Sequence, residues 1–187
     1  MSSFLTGSRR SFVTRGGALL SGTAIALLAG GRSALAKGET SGSPVNDVQI
    51  LNTALGAELE AIAAYQVGAE SGLLKQPVLA LAVTFQGHHK EHADLLAKTV
   101  KTLGGAPATA KAKYAFPVEK LKTQADVLRF AAGLEQGAVS AYLGAVPLFA
   151  NRELAKAAAS ILGDEAMHWA VLRQALGEAP VPSAFMS

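Results

Sequence analysis

The sequence predicts an all-α protein: a four-helix bundle made of two helical hairpins that a long crossover joins. Apolar residues recur every three or four positions in four segments, which is typical of the buried face of a bundle helix. Half of the 187 residues are apolar and only 6% are aromatic. This composition favours close-packed helices over a β-sandwich, and the length suits one domain.

The four apolar segments are bounded by residues that typically start or stop helices. In order, the predicted helices lie between Asp47 and Ser71, between Pro77 and Leu103, between Thr123 and Pro147, and between Asn151 and Gly177. Residues 108–122 show no helical period and form the predicted crossover. Residues 37–46 are predicted to be a flexible tether, residues 47–178 the bundle, and residues 179–187 a C-terminal tail.

The first 36 residues are predicted to be an export signal that is removed from the mature protein. Arg9 and Arg10 precede an apolar run at 18–29, and an A-x-A cleavage site ends at Ala36. The run is shorter than the roughly 20 residues that span a bilayer. These parts resemble a bacterial twin-arginine (Tat-type) signal, which implies a periplasmic protein that meets the membrane only during export. A membrane anchor or a disordered basic arm is the open alternative.

The basic charge of the chain belongs to this predicted signal. Four of the 17 basic residues and none of the 14 acidic residues lie in 1–36, which leaves 13 basic against 14 acidic residues and a formal charge of −1. The basic pI therefore does not indicate a nucleic acid or an anionic membrane as a partner. The absence of cysteine excludes thiolate metal ligands and disulfides.

Six titratable residues occupy positions on the apolar stripes, where leucine or valine would be expected. They are Glu58, His89, His92, Glu135, Glu165 and His168. Burying one unpaired carboxylate costs several kcal/mol, against a net domain stability of about 5–15 kcal/mol. Three buried carboxylates at the same depth therefore need cationic partners, and one metal ion or a pair of ions would supply that charge.

The spacing of these residues repeats between the two halves of the chain. Glu58 precedes Tyr65 by seven positions, as Glu135 precedes Tyr142. A His-x-x-His pair on the second helix corresponds to a Glu-x-x-His pair on the fourth. Residues three apart on a helix lie on one face, so both pairs can converge on one ion. The repeat predicts two related hairpins that share one site.

These residues resemble the ligand pattern of the ferritin-like di-iron carboxylate superfamily, and the chain is similar to exported ferritin-like proteins of bacteria over residues 47–178. The resemblance implies a ferritin-like four-helix bundle. It implies that Glu58 and Glu135 are terminal carboxylates, that Glu165 is a bridging carboxylate, and that His92 and His168 are ligands.

The same resemblance implies a divalent transition metal as cofactor, with iron first and zinc, manganese or copper as alternatives. It leaves open redox or oxygen chemistry at the site. Because ferritin-like bundles often dimerise, it also suggests a homodimer. The metal ions are the partners that we expect.

His89 departs from the family pattern, which has a glutamate at this position. Four carboxylates would balance the charge of two divalent cations, whereas three leave one charge unbalanced. A ligand set richer in nitrogen suits zinc or copper as well as iron. A single ion and an altered pair of ions are both compatible with the sequence.

Other polar residues near the stripes are alternatives to these ligands or support them. Glu60 is an alternative to Glu58 in a different register, and His88 is an alternative core histidine. Asp164 is predicted to support a histidine of a neighbouring helix. Tyr65 and Tyr142 are predicted to be core residues whose hydroxyls are hydrogen-bonded.

A metal-free polar core is the main rival to a metal site. In that case protonated histidines would pair with the glutamates, and the bundle would have a structural or stress-related role without catalysis. Stability would then respond mainly to pH near the ordinary histidine pKa of about 6.5.

Overall fold

The computed structural model describes residues 44–186. Its four α-helices are α1 (Pro44–Glu70), α2 (Val78–Thr102), α3 (Gln124–Ala145) and α4 (Arg152–Ala175). Short 3-10 turns cover Val118–Lys120 and Val146–Leu148, and no strand occurs within the described part. The predicted all-α fold class is confirmed. The predicted signal at 1–36 and most of the predicted tether lie outside the described residues.

The four helices pack as two hairpins. Helix α1 packs along α2 and α3 along α4, while α1 also contacts α3 and α2 contacts α4. Residues 103–123 connect the hairpins, and this crossover packs Phe116 and Leu121 against a small core cluster of Ala64, Phe130 and Leu134. None of the helices in residues 44–186 has the length and hydropathy that crossing a bilayer requires.

The predicted caps explain where two of the helices begin. Thr123 and Asp126 form a capping box, in which the Thr123 hydroxyl accepts the Asp126 N–H and the Asp126 carboxylate accepts the Thr123 N–H at 2.9 Å. Asn151 caps α4 by accepting the Glu153 N–H at 2.9 Å. Helix α1 begins at Pro44, three residues before the predicted start at Asp47.

Glycine ends α2 for a steric reason. Gly104 has φ of +79°, a left-handed conformation that other residues adopt only with strain. A Cβ on the next residue, Gly105, would lie 2.6 Å from Val48 Cγ1. The crossover can therefore leave α2 close to α1 only because these two side chains are absent.

The bundle core has two apolar layers with a polar layer between them. One layer includes Leu51 and Leu55 of α1, Leu96 and Val100 of α2, and Ile161 of α4. The other layer is formed by Tyr65, Ala82, Phe85, Leu128, Ala131, Ala132, Trp169 and Leu172. On every helix, the glutamates and histidines of the predicted site fall between the residues of these two layers.

Candidate metal centre

The six residues that the sequence analysis identified come together in the middle of the bundle. Helix α1 contributes one, α3 one, and α2 and α4 two each: Glu58, Glu135, His89, His92, Glu165 and His168. Five of them are buried, with Glu165 0% exposed. The sixth, His92, has a side chain that is 14% exposed.

His89 lies at the centre of this cluster. Its Nδ1 is 2.8 Å from Glu58 Oε2 and 3.5 Å from Glu165 Oε1. Its Nε2 is 3.3 Å from Glu135 Oε1. Both nitrogens of one ring therefore face carboxylates that belong to different helices.

The rings of His92 and His168 both lie beside that of His89, with centroids 6.1 and 5.4 Å from it. His92 Nδ1 lies 3.1 Å from Glu165 Oε1 and 3.6 Å from Glu58 Oε2. His168 Nδ1 lies 3.6 Å from Glu135 Oε2 and 3.8 Å from Glu165 Oε2. The two oxygens of Glu165 thus face different histidines, as a carboxylate between two binding positions would.

Five buried ligand atoms in this cluster have no hydrogen-bond partner. They are His92 Nδ1, His168 Nδ1, Glu135 Oε2 and both carboxylate oxygens of Glu165. Their oppositely charged neighbours lie 3.1 to 3.8 Å away, close enough for electrostatic attraction, but form no hydrogen bonds with them. Because buried polar atoms are almost always hydrogen-bonded, each exception needs an explanation. Here the five atoms converge, and imidazole nitrogens and carboxylate oxygens are the donors that divalent transition metals bind.

The six core residues form two overlapping groups that could hold a metal ion, and His88, Asp164 and His168 form a third group at the rim. The first group contains Glu58, His89, His92 and Glu165. The second contains His89, Glu135, Glu165 and His168. Within each group the ligand atoms lie within 4.8 Å of one another. His89 and Glu165 belong to both groups, so the arrangement has room for one shared ion or for two neighbouring ions.

The electrostatics of the cluster favour charged forms. Burial opposes protonation of His92, but the carboxylates of Glu165 and Glu58 outweigh it and raise its pKa to about 9. Burial likewise opposes protonation of His168, and Glu135 and Glu165 raise its pKa to about 9. Without a metal, these two histidines are cations at neutral pH.

The same forces act on the two residues at the centre. Burial opposes protonation of His89, yet Glu135 and Glu58 raise its pKa well above 6.5. Burial opposes ionisation of Glu135, but contacts with Glu165, His168 and His89 lower its pKa. The cluster is thus a network of protonated histidines and carboxylates. A metal ion could take the place of the histidine protons.

Two tyrosines, one on α1 and one on α3, each donate a hydrogen bond to the site glutamate of the other helix. Tyr142 of α3 donates a hydrogen bond to Glu58 Oε1 of α1 at 2.6 Å. Tyr65 of α1 donates a short hydrogen bond to Glu135 Oε1 of α3. Burial and the adjacent carboxylates raise the pKa of both tyrosines well above 10, so they stay donors at neutral pH. Each hydroxyl fixes one oxygen of its glutamate and leaves the other facing the histidines.

Replacing Tyr65 or Tyr142 with phenylalanine is expected to destabilise the metal-free protein by about 1–3 kcal/mol, because a buried carboxylate oxygen loses its donor. Chemical denaturation would measure the free energy of unfolding. Tyr114→Phe is the matched control, since the Tyr114 hydroxyl only accepts the Lys111 N–H at 3.2 Å in the exposed crossover. We expect it to change stability by less than about 0.5 kcal/mol. Equal stability of all three variants would contradict this role of the tyrosines.

Asp164 and His88 form an outer layer against the cluster. Asp164 Oδ2 lies 3.4 Å from His92 Nε2, 3.2 Å from His168 Nε2 and 3.1 Å from His88 Nδ1. Asp164 therefore contacts a histidine of the neighbouring helix α2, His92, as well as His168 of its own helix. Such a contact orients the ring so that the opposite nitrogen, Nδ1, faces the core.

The remaining candidates lie outside the two groups. His88 reaches the rim rather than the core: its side chain is 41% exposed, and Nδ1 lies 2.9 Å from His168 Nε2. Glu60 is buried but belongs to neither group, and Glu91 is exposed. The register that uses Glu58 is the one that reaches the site.

Sequence reasoning missed the part that Phe85 has in the site. Its ring stacks on that of His168, with centroids 4.0 Å apart and an interplanar angle of 23°. The sequence places Phe85 on the core stripe of α2 but contains no signal for a contact with α4. This stacking holds one face of the His168 ring.

The chain is similar to known proteins that share this architecture. A family model described as the ferritin-like domain matches residues 46–178. A crystal structure of a conserved hypothetical protein, rv2844, from Mycobacterium tuberculosis superposes with a TM-score of 0.66 and covers 76% of this chain and 99% of that chain. At 23% identity this likeness shows the fold alone. A search of curated proteins gives no significant match.

Proposed function

Because this chain belongs to the ferritin-like domain family, we propose that it is an exported protein that binds divalent transition metal ions between its four helices. The observation that supports this proposal is the set of five buried ligand atoms without hydrogen-bond partners. A polar core built only for stability would be expected to pair such atoms, since an unsatisfied buried polar atom costs about 1–3 kcal/mol.

The residues fit a transition metal in charge and in donor type. Glu58, Glu135 and Glu165 supply three negative charges in a region shielded from solvent. His92 and His168 turn their Nδ1 atoms, which form no hydrogen bond, toward these carboxylates. A mixed set of carboxylate and imidazole donors is typical of iron sites and also accommodates zinc, manganese and copper. Iron is our first choice because of the resemblance to di-iron carboxylate proteins.

In this proposal the first ion would be held by Glu58, His92 and Glu165, and a second ion by Glu135, His168 and Glu165. A bound transition metal would supply Lewis-acid or redox chemistry, including reactions with oxygen. The protein itself would orient the ligands, through the tyrosine hydroxyls and Asp164, and would limit access of water to the site.

A metal-free polar core is the second candidate, and one observation favours it. His89 lies between Glu58 and Glu135, at 2.8 and 3.3 Å. A protonated ring at this position satisfies one oxygen of each glutamate. The bundle would then be a structural or stress-related protein.

Metal content separates the two candidates. The protein purified from its native compartment is expected to contain a transition metal by elemental analysis. After chelation, addition of Fe(II), Mn(II), Zn(II) or Cu(II) at a hundredfold excess over Kd should stabilise the fold by about 2.7 kcal/mol. Glu91→Gln, an exposed change on α2, serves as a control that should behave like the wild type. Absence of metal together with absence of stabilisation by all four ions would overturn the proposal.

The export part of the proposal depends on Arg9 and Arg10. We expect the double substitution of Arg9 and Arg10 by lysine to abolish export, because twin-arginine signals are recognised by these guanidinium groups. Cell fractionation would then find the chain in the cytoplasm in its uncleaved form. Replacing Arg15 with lysine, in the same leader, is the matched control and should leave export intact. Periplasmic accumulation of the double variant would contradict this route.

The expected homodimer stays a prediction. Analytical ultracentrifugation of the purified protein would measure its mass in solution.

A further inference from the structure

We propose that His89 bridges two metal ions as an imidazolate, with one ring nitrogen bound to each ion. This inference rests on the proposed metal-binding function and specifies how the two ligand groups are joined. His89 occupies the position where the resembled pattern has a carboxylate. The bridge that a carboxylate would form with two oxygens is formed here by the two nitrogens of one ring.

The position of the ring is the first argument. His89 belongs to both core groups, whereas His92 belongs only to the first, and His168 belongs to the second and to the rim group with His88 and Asp164. On its Nδ1 side, His89 faces Glu58 and Glu165, at 2.8 and 3.5 Å. On its Nε2 side it faces Glu135 at 3.3 Å. Each nitrogen therefore points into a different group.

The contrast with the two other histidines is the second argument. His92 and His168 turn Nδ1 toward the glutamates and Nε2 toward Asp164, at 3.4 and 3.2 Å. Asp164 can accept an N–H from either ring, as an outer carboxylate does for a terminal histidine ligand. The Nε2 of His89 instead faces Glu135, which is itself a predicted ligand. The Glu135 Oε1 that it faces already accepts a hydrogen bond from Tyr65, so Nε2 of His89 has no outer carboxylate of its own to receive an N–H.

Charge is the third argument. Two divalent cations carry four positive charges, whereas Glu58, Glu135 and Glu165 carry three negative ones. An imidazolate at His89 supplies the fourth negative charge. This matters because an uncompensated buried charge lowers the stability of the fold. Each ion displaces the proton of the ring nitrogen that it binds, both protons pass to solvent, and each nitrogen offers its lone pair to one metal. The charge of the two ions is then balanced without a fourth buried carboxylate.

The surroundings hold the ring in the bridging position. His89 is 1% exposed, and its ring lies against that of Tyr65, with centroids 5.2 Å apart. The His168 ring approaches it edge-on, with centroids 5.4 Å apart. These contacts leave the two edges that carry the nitrogens facing the glutamates.

Nuclear magnetic resonance of the full protein loaded with cadmium-113 tests the bridge directly. Cadmium is a diamagnetic divalent ion, and a direct bond to a nitrogen-15-labelled imidazole splits the nitrogen signal. The chain has only four histidines, so His89→Gln assigns the signals of His89. We expect two cadmium ions per chain and a splitting at both nitrogens of His89. His92 and His168 should show a splitting at Nδ1 only, with a proton on Nε2.

Two further variants make the result specific. His89→Glu is expected to keep two ions per chain, because it introduces a fourth carboxylate, and to lose only the doubly split ring. Glu91→Gln, which changes an exposed residue of the same helix, should reproduce the wild-type spectrum. Two bound ions with a splitting at only one nitrogen of His89, or a single bound ion, would overturn the bridge and leave the metal-binding function standing. No cadmium bound in the core would overturn both.

Discussion

Replacing Glu165 with glutamine is expected to lower the affinity of both metal positions together. Glu165 is 0% exposed, both of its oxygens lack a hydrogen-bond partner, and it belongs to both ligand groups. Changes to groups that merely support a ligand already cost about 10–100-fold in affinity. Loss of a shared ligand should therefore cost more than about 100-fold. Metal content by elemental analysis and titration with Fe(II) or Zn(II) would measure the effect.

Two control variants separate this effect from a general loss of structure. Glu91→Gln makes the same chemical change at an exposed position of α2 and should keep full metal content. Glu58→Gln alters only the first group and should weaken one ion while sparing the other. Circular dichroism should show the same helical content in all of them. Full occupancy of both positions in a folded Glu165→Gln variant would mean that these glutamates are not the ligands.

The stability of the metal-free protein is expected to fall as the pH rises above about 6.5. His89, His92 and His168 all have a raised pKa in the fold, the last two to about 9. Their contribution is fully present below the unfolded-state pKa of about 6.5 and is lost as pH rises through the folded-state values. A pKa that is higher by one in the folded state than in the unfolded state contributes about 1.4 kcal/mol. The combined loss should therefore reach several kcal/mol between pH 6.5 and roughly 9.5.

On the acid side of this profile, the stability of the metal-free protein decreases as the pH falls. The lowered pKa of Glu135 stabilises the fold above the unfolded-state value of about 4.5, and this contribution is lost as the pH falls through the folded-state pKa. Stability without metal should be greatest between about pH 4.5 and 6.5. Denaturant titrations of the chelated protein at a series of pH values would show this maximum.

The metal-loaded protein provides the comparison. Metal ligands must be deprotonated, so metal affinity should increase with pH over the range in which the chelated protein loses stability. The two forms should therefore diverge most at alkaline pH. A chelated protein with unchanged stability from pH 6.5 to 9.5 would show that the histidines are not charged partners of the glutamates.

The helices could be predicted from the sequence because the signals for them are local. The Thr123 cap and the Asp126 that completes it are three residues apart, and a capping box needs nothing from the rest of the chain. The sequence predicts that α1 starts at Asp47, but the helix begins at Pro44. Proline is well suited to the first turn of a helix, and the Asp47 carboxylate instead accepts the N–H groups of Ala150 and Asn151. That contact joins residues about a hundred positions apart, so it cannot be predicted from the sequence around Asp47.

The membership of the site could also be predicted, because polar residues on an apolar stripe are conspicuous. The six candidates do lie together between the four helices. The position of His88 was harder to predict, since a small rotation of α2 decides whether it lies in the core or at the rim. The structure places it at the rim against Asp164. The stacking of Phe85 on His168 could not be foreseen for a similar reason, since it depends on how closely α2 approaches α4.

The four-helix fold and the presence of glutamates and histidines in the core can be derived from the sequence alone. Both follow from periodicity along single helices, where the physical constraint is the burial of one face. The direction in which each ligand atom points depends instead on the packing of the helices against one another. The two oxygens of Glu165 and the two nitrogens of His89 are directed by neighbours on other helices, with the tyrosines and Asp164 holding the remaining atoms. These directions depend on distances of a few ångströms between helices, which no spacing within one helix encodes.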